Sequence, residues 1–165
     1  MSSEYTFYIS INEPLKLGAR FSELLRCQPM TNYFAGTWSF MGDTCTLDIM
    51  INLGESFEDQ EQLIGATPTA VILAPRKRLD WNEHIRLLRE FIAEAIALWT
   101  ADSDSTGAVL ANDELLLAAK LPNSSIILDD ALFDSDEFGQ TGEFERLPTG
   151  PIRTNLSDFW PLIEV

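Results

Sequence analysis

Residues 68–100 read PTAVILAPRKRLDWNEHIRLLREFIAEAIALWT, and this stretch decides the fold. It opens with a short, almost wholly apolar run between prolines, which is typical of a strand that is covered on both faces. Asp80 and Glu83 then have the spacing of a capping box, which predicts that a helix follows Asp80. An apolar stripe continues for about four turns, so this helix must lie against a sheet or another helix. The stripe consists of Ile85, Leu88, Ile92, Ala95, Ile96 and Trp99.

The rest of the chain supplies further strands and one more main helix. Tyr5–Ile11 is aromatic and β-branched, which favours a strand, and Pro14 opens an amphipathic helix. The polar stretch 53–65 fits a short helix or a loop. Further strands are predicted at residues 34–40, 45–51, 107–111, 114–119 and 125–128. We therefore expect an α+β fold, with a mixed or antiparallel sheet of about six strands, in the order β-α-β-β-β-α-β-β-β, and two main helices packed on one face.

Length and composition indicate one domain, residues 1–165, with an acidic, loop-rich segment at 129–151. The formal charge of −15 repels nucleic acid and anionic lipid and favours partners with a basic surface. Residues 101–165 hold 13 acids and three basic residues, so most of the excess lies there. No signal peptide or membrane-spanning run is visible, and two cysteines imply no disulfide framework, so we expect a cytoplasmic protein.

The residues that usually carry catalysis do not form a motif in this sequence. The single histidine, His84, has no nucleophile or orienting acid marked beside it, and Cys27 and Cys45 fit ordinary apolar positions. Residues 134–145 imitate a calcium loop, but Phe138 stands where an oxygen ligand belongs, and Pro148 and Pro151 preclude a regular exiting helix. We therefore expect no enzyme, no cofactor and no metal site.

The same acidic segment has the composition of a protein-binding surface. Carboxylates attract a basic partner, while aromatic anchors supply most of the affinity. The alternative is that its phenylalanines are core residues under a surface loop. The candidate partner-binding residues are Asp134, Asp136, Glu137, Phe138, Glu143 and Glu145.

Four segments resemble the small immunity proteins of bacterial polymorphic-toxin systems. They are EYTFYISI, residues 66–99, GAVLANDELLLAAKLPNSSIILDD and the ending LSDFWPLI. Together they cover about half of the chain, as fold patterns rather than site motifs, and GDTCTLDIM and the acidic insertion at 129–145 have no counterpart. The resemblance implies that the chain binds and neutralises a cognate toxin in a stoichiometric complex. The alternatives are a phage- or plasmid-type acidic inhibitor or adaptor, and a small-ligand or enzyme domain built from unremarkable residues.

Overall fold

The computed structural model describes residues 3–31, 35–51 and 57–161, which form one sheet with helices on both faces. The helices are α1 (Pro14–Leu24), α2 (Glu58–Ile64) and α3 (Trp81–Ala101). The strands are β1 (Tyr5–Ile9), β2 (Gln28–Pro29), β3 (Thr37–Met41), β4 (Cys45–Ile51), β5 (Thr69–Pro75), β6 (Gly107–Ala111), β7 (Leu115–Lys120), β8 (Ile127–Asp129) and β9 (Ile152–Thr154). Short 3-10 turns lie at Asp130–Leu132, Phe138–Thr141 and Glu143–Arg146.

The sheet has the strand order β2-β3-β4-β5-β1-β6-β7-β8-β9, and every pair is antiparallel except β8 with β9. The mixed sheet of an α+β fold is therefore confirmed. The prediction of about six strands is wrong, because the described residues form nine. The two edge strands β2 and β9 are only two and three residues long, and all their side chains are exposed. They therefore carry no apolar alternation that would mark them in the sequence.

Helices α1 and α3 pack on one face of the sheet. Phe7 on the central strand β1 lies fully buried beneath them, with Phe21 of α1 and Phe91 and Trp99 of α3 at ring-centroid distances of 5.4–6.4 Å. The predicted stripe of α3 is buried along its whole length. In the described part of the chain, no helix is long and apolar enough to cross a membrane.

The opposite face of the sheet is covered in part by α2 and by the segment around Trp160. Tyr8, which neighbours Phe7 and so points to the other face, packs with Phe57 at the start of α2. Trp160 is buried and donates its indole N–H to the Asp113 carbonyl at 2.9 Å. The expectation of helices on one face therefore holds for the two main helices, while α2 lies on the other face.

Asp129, at the end of β8, fastens the C-terminal segment to the sheet. Its side chain is buried and accepts hydrogen bonds from the Ala131 amide at 3.0 Å and the Leu156 amide at 2.7 Å. Leu156 is fully buried on the second face. Leu162 and Ile163, which the resemblance places in the closing segment, lie outside the described residues.

Candidate protein-binding surface

The N-terminal end of α3 presents an exposed tryptophan beside a half-buried histidine. The Glu83 amide donates to Asp80 Oδ1 at 2.8 Å, so the cap predicted from the sequence is present and the helix begins at Trp81. Trp81 stands one turn before Ile85 and extends the apolar stripe beyond the core, where 42% of the residue stays exposed. Its ring stacks on His84, with centroids 5.2 Å apart and planes inclined by 18°.

Tyr5, His84, Trp81 and Phe138 form a contiguous group that we name the aromatic ladder. The Tyr5 hydroxyl and His84 Nε2 are hydrogen-bonded at 2.6 Å, and the two rings meet edge to face. The Phe138 ring lies 6.4 Å from that of Trp81 at an angle of 24°. Tyr5 is buried, His84 and Phe138 are half-buried, and Trp81 is the most exposed member. The ladder thus leads from the sheet out to the surface.

Burial keeps the Tyr5–His84 pair neutral. It raises the pKa of Tyr5 to about 12 and lowers the pKa of His84 below its usual 6.5. A neutral hydroxyl and a neutral imidazole therefore share the hydrogen bond at pH 7. Among the described residues, no carboxylate hydrogen-bonds this imidazole, as the orienting acid of a catalytic triad does. The pair is suited to holding the ladder in place.

The acidic loop Asp134–Glu137 leads directly into the ladder at Phe138. Asp134 organises this loop, because its side chain accepts from the Asp136 amide at 2.9 Å and its carbonyl accepts from the Gly139 amide at 2.8 Å. The carboxylates of Asp134, Asp136 and Glu137 are exposed. None of the three forms an ion pair within the described ranges. Their charges are therefore available to a partner.

The other two acids proposed from the sequence are engaged inside the chain. Glu143 is only 14% exposed at its side chain and accepts from Arg89 Nε at 3.1 Å. Glu145 binds both terminal nitrogens of Arg153 at 2.9 and 3.1 Å, and these hydrogen bonds lower the pKa of Glu145. The Arg153 guanidinium in turn lies 3.8 Å above the Phe133 ring. The structure thus separates the six proposed residues into an exposed loop ending at Phe138 and two intramolecular ion pairs.

A short basic segment borders the ladder on another side. Arg76, Lys77 and Arg78 follow β5 directly, and the side chains of Lys77 and Arg78 are exposed. A hollow of about 340 Å³ lies between this segment and the ladder, with Trp81 and His84 in its wall. The ladder therefore has exposed carboxylates next to it in one loop and exposed cations in another.

Trp81 is the residue of this surface that sequence reasoning missed. The sequence indicates Phe138 as the aromatic anchor, but Phe138 is half-buried and packs against the edge of the core, whereas Trp81 is the more exposed ring. The signal is present in the sequence, because Trp81 lies four residues before Ile85 on the apolar stripe of α3. Because the apolar stripe continues to the first residue of the helix, it extends past the core. The side chain at its end is therefore left exposed beside the charged loop.

The calcium-like segment is folded as turns rather than as a ligand loop. Phe138–Thr141 and Glu143–Arg146 are 3-10 turns, and Glu143 binds Arg89. Within residues 3–31, 35–51 and 57–161, no group of three or more His, Cys, Asp or Glu side chains is placed to hold a metal ion. In comparisons with known proteins, the chain matches no family model, no curated protein and no solved structure.

Proposed function

We propose that this chain is an immunity protein that neutralises a cognate bacterial toxin by forming a stoichiometric complex. The observation that carries the proposal is the exposed Trp81 on a pre-organised aromatic ladder, next to the three exposed carboxylates of the acidic loop. The sequence resemblance to immunity proteins points to the same function. The partner is a protein with a basic surface, and the chain contributes binding rather than chemistry.

The aromatic ladder has the properties of a binding hot spot. Tryptophan is enriched among residues that dominate binding energy, because it buries a large area at a small cost in conformational entropy. Stacking on His84 and the Tyr5–His84 hydrogen bond hold the Trp81 side chain in place before a partner arrives. This preorganisation lowers the entropy lost on binding. Trp81 is thus the primary anchor, with Phe138 behind it.

The acidic loop contributes attraction and orientation. Asp134, Asp136 and Glu137 precede Phe138 in sequence, so a basic partner drawn to them is brought to the ladder. A toxin that cleaves nucleic acid or binds another polyanion has a basic cleft, which an acidic surface can occupy. Such a complex blocks the toxin by covering its cleft, and protection then depends on the molar ratio of the two proteins.

The test uses the protein encoded by the gene beside this one as the toxin. In cells that express this toxin, survival is expected to require the chain, and the purified proteins are expected to form a complex of fixed ratio. Trp81→Ala should weaken the complex by about 2 kcal/mol or more, measured by calorimetry. Rescue by a substoichiometric amount of the chain in a purified assay would overturn the binding mechanism.

Phe159→Ala is the matched control for Trp81→Ala. Phe159 is 44% exposed, close to the 42% of Trp81, but it belongs to the C-terminal segment that covers the opposite face of the sheet. Its truncation should leave the affinity within about 0.5 kcal/mol of the original, as expected for a side chain outside the interface. If the Phe159 variant weakens binding and the Trp81 variant does not, the interface lies on the opposite face.

A further inference from the structure

The two cysteines lie in contact inside the protein. Cys27 precedes the edge strand β2 and Cys45 begins β4, yet their Sγ atoms are 3.6 Å apart. Both side chains are buried, and both are free thiols. A disulfide requires a sulfur–sulfur distance of about 2.05 Å, so the sulfurs have to come about 1.5 Å closer. Because β3 lies between β2 and β4 in the sheet, closure requires the edge strand to shift towards β4 as well as rotation of the two side chains.

The surroundings of the pair favour one thiolate shared between the two cysteines. The hydrogen bond between the two sulfurs stabilises the thiolate of one cysteine and holds the proton on the other, and either sulfur can be the donor. The Arg76 guanidinium favours the thiolate form of both cysteines against the opposing effect of burial on the pKa. Arg76 is fixed beside the pair by donating from a terminal nitrogen to the Gly42 carbonyl at 3.0 Å. The pair therefore offers one thiolate as a nucleophile and one thiol beside it.

Access to the pair requires local opening beside β2. Gly42 packs closely on the pair, because a Cβ atom there would lie 3.0 Å from Cys27 Sγ and 2.8 Å from the Arg26 carbonyl. A surface hollow of about 480 Å³ on the outer side is lined by Gly42, Gln28 and Arg76, among others. Because β2 is a two-residue edge strand with exposed side chains, local opening there is a low-energy motion. Hydrogen peroxide is expected to reach the sulfurs from this hollow when the edge opens.

We propose that Cys27 and Cys45 form a peroxide-sensitive dithiol site that closes to an intramolecular disulfide. The thiolate of the pair attacks one oxygen of hydrogen peroxide, the O–O bond breaks, and the leaving hydroxide takes up a proton to become water. The other sulfur then attacks the sulfur of the resulting sulfenic acid, and the hydroxyl group leaves as water with the proton of the attacking thiol. Two thiols lose two electrons in total, and one peroxide becomes two water molecules.

The new bond would connect the start of the β2–β3 edge to the interior strand β4. It closes a loop between residues 18 positions apart. Loops of about this length reduce the entropy of the unfolded chain enough to raise the Tm of a protein of this size by about 6 to 12 °C. Oxidation is therefore expected to stabilise the β2–β3 edge of the sheet without moving the aromatic ladder.

The test is a thiol count on the purified, reduced chain after exposure to hydrogen peroxide. Because the chain has two cysteines, the free thiols measured in denaturant should fall from two to zero. The intact mass should fall by about 2 Da, and dithiothreitol should restore both values. If the thiols persist while free glutathione in the same solution is oxidised, or if the mass rises in steps of about 16 Da instead, the proposal is overturned.

Single serine variants test the sulfenic acid step. In Cys27→Ser and in Cys45→Ser, the remaining cysteine has no resolving thiol, so it cannot form the internal disulfide. In at least one of the two variants, peroxide should convert the remaining cysteine to sulfenic and then sulfinic acid, visible as added oxygen by mass spectrometry. If neither variant gains oxygen under conditions in which the unchanged chain loses about 2 Da, the sulfenic acid step is contradicted.

Discussion

His84 shows how one residue couples the aromatic ladder to the stability of the fold. Its imidazole is half-buried between Tyr5 and Trp81, and burial lowers its pKa below 6.5. The folded chain therefore binds fewer protons at His84 than the unfolded chain does when the pH lies between the folded-state pKa and 6.5. The contribution of His84 to the unfolding free energy is therefore fully present above pH 6.5. It is lost as the pH falls from 6.5 through the folded-state pKa of His84.

Replacing His84 by glutamine should remove the part of the pH dependence of the unfolding free energy that comes from His84. A glutamine side-chain amide does not titrate, so His84→Gln is expected to lose less unfolding free energy than the unchanged chain between about pH 7.5 and pH 5.5. Urea denaturation at the two pH values measures the difference. The carboxylates titrate in both proteins and cancel in the comparison. Equal losses in the two proteins would mean that the pKa of His84 is the same in the folded and unfolded chains.

At the scale of the elements, the sequence predicts those that bury a regular apolar pattern. The helix α3 has a cap at Asp80 and an unbroken stripe, so its start and its buried face both follow from the sequence. The strands β2 and β9 could not be predicted from the sequence. They are defined by backbone hydrogen bonds to β3 and β8, and their side chains show no alternation of apolar and polar residues. The candidate site could be predicted only in part. Charge marks the acidic loop and the apolar stripe of α3 includes Trp81, but the packing of α3 is needed to show that the core ends before Trp81.

Truncation of the α3 stripe tests its packing on the sheet. Ile92 is fully buried, so Ile92→Ala should leave a cavity and lower the unfolding free energy by about 2 to 5 kcal/mol. Leu15→Ala is the matched control, because Leu15 is also an aliphatic side chain on a helix but is 68% exposed. It should change stability by no more than about 0.5 kcal/mol. Chemical denaturation measures both, and a loss below about 1 kcal/mol for Ile92→Ala would mean that this face of α3 is not packed inward.

For the molecule as a whole, the net charge of −15 has two different consequences. At a distance, all the acids act together and attract any basic protein. Near contact, in salt that screens charges beyond about 10 Å, only the acids close to the interface contribute. The position of the carboxylates relative to the aromatic ladder therefore decides how binding responds to salt. On the proposed function, Asp134, Asp136 and Glu137 are the acids that act at short range.

Two sets of substitutions with the same change in net charge separate these consequences. The loop variant carries Asp134→Asn, Asp136→Asn and Glu137→Gln, and the control variant carries Asp43→Asn, Asp104→Asn and Asp158→Asn. The control acids are also exposed, without ion pairs among the described residues, and lie in three other parts of the chain. Glu143 and Glu145 stay unchanged in both, because their ion pairs with Arg89 and Arg153 belong to the fold.

On the proposed function, the association rate with the cognate toxin should fall by about tenfold or more for the loop variant at an ionic strength of about 0.1 M, with a much smaller change in the dissociation rate. The control variant should associate nearly as fast as the unchanged chain under these conditions. At about 0.01 M salt the screening length grows to about 30 Å, so the two variants should become more alike. Stopped-flow mixing at the two salt concentrations measures both rates. If the variants slow association equally at about 0.1 M, the acidic loop has no special place in binding, and the interface has to be sought elsewhere on the acidic surface.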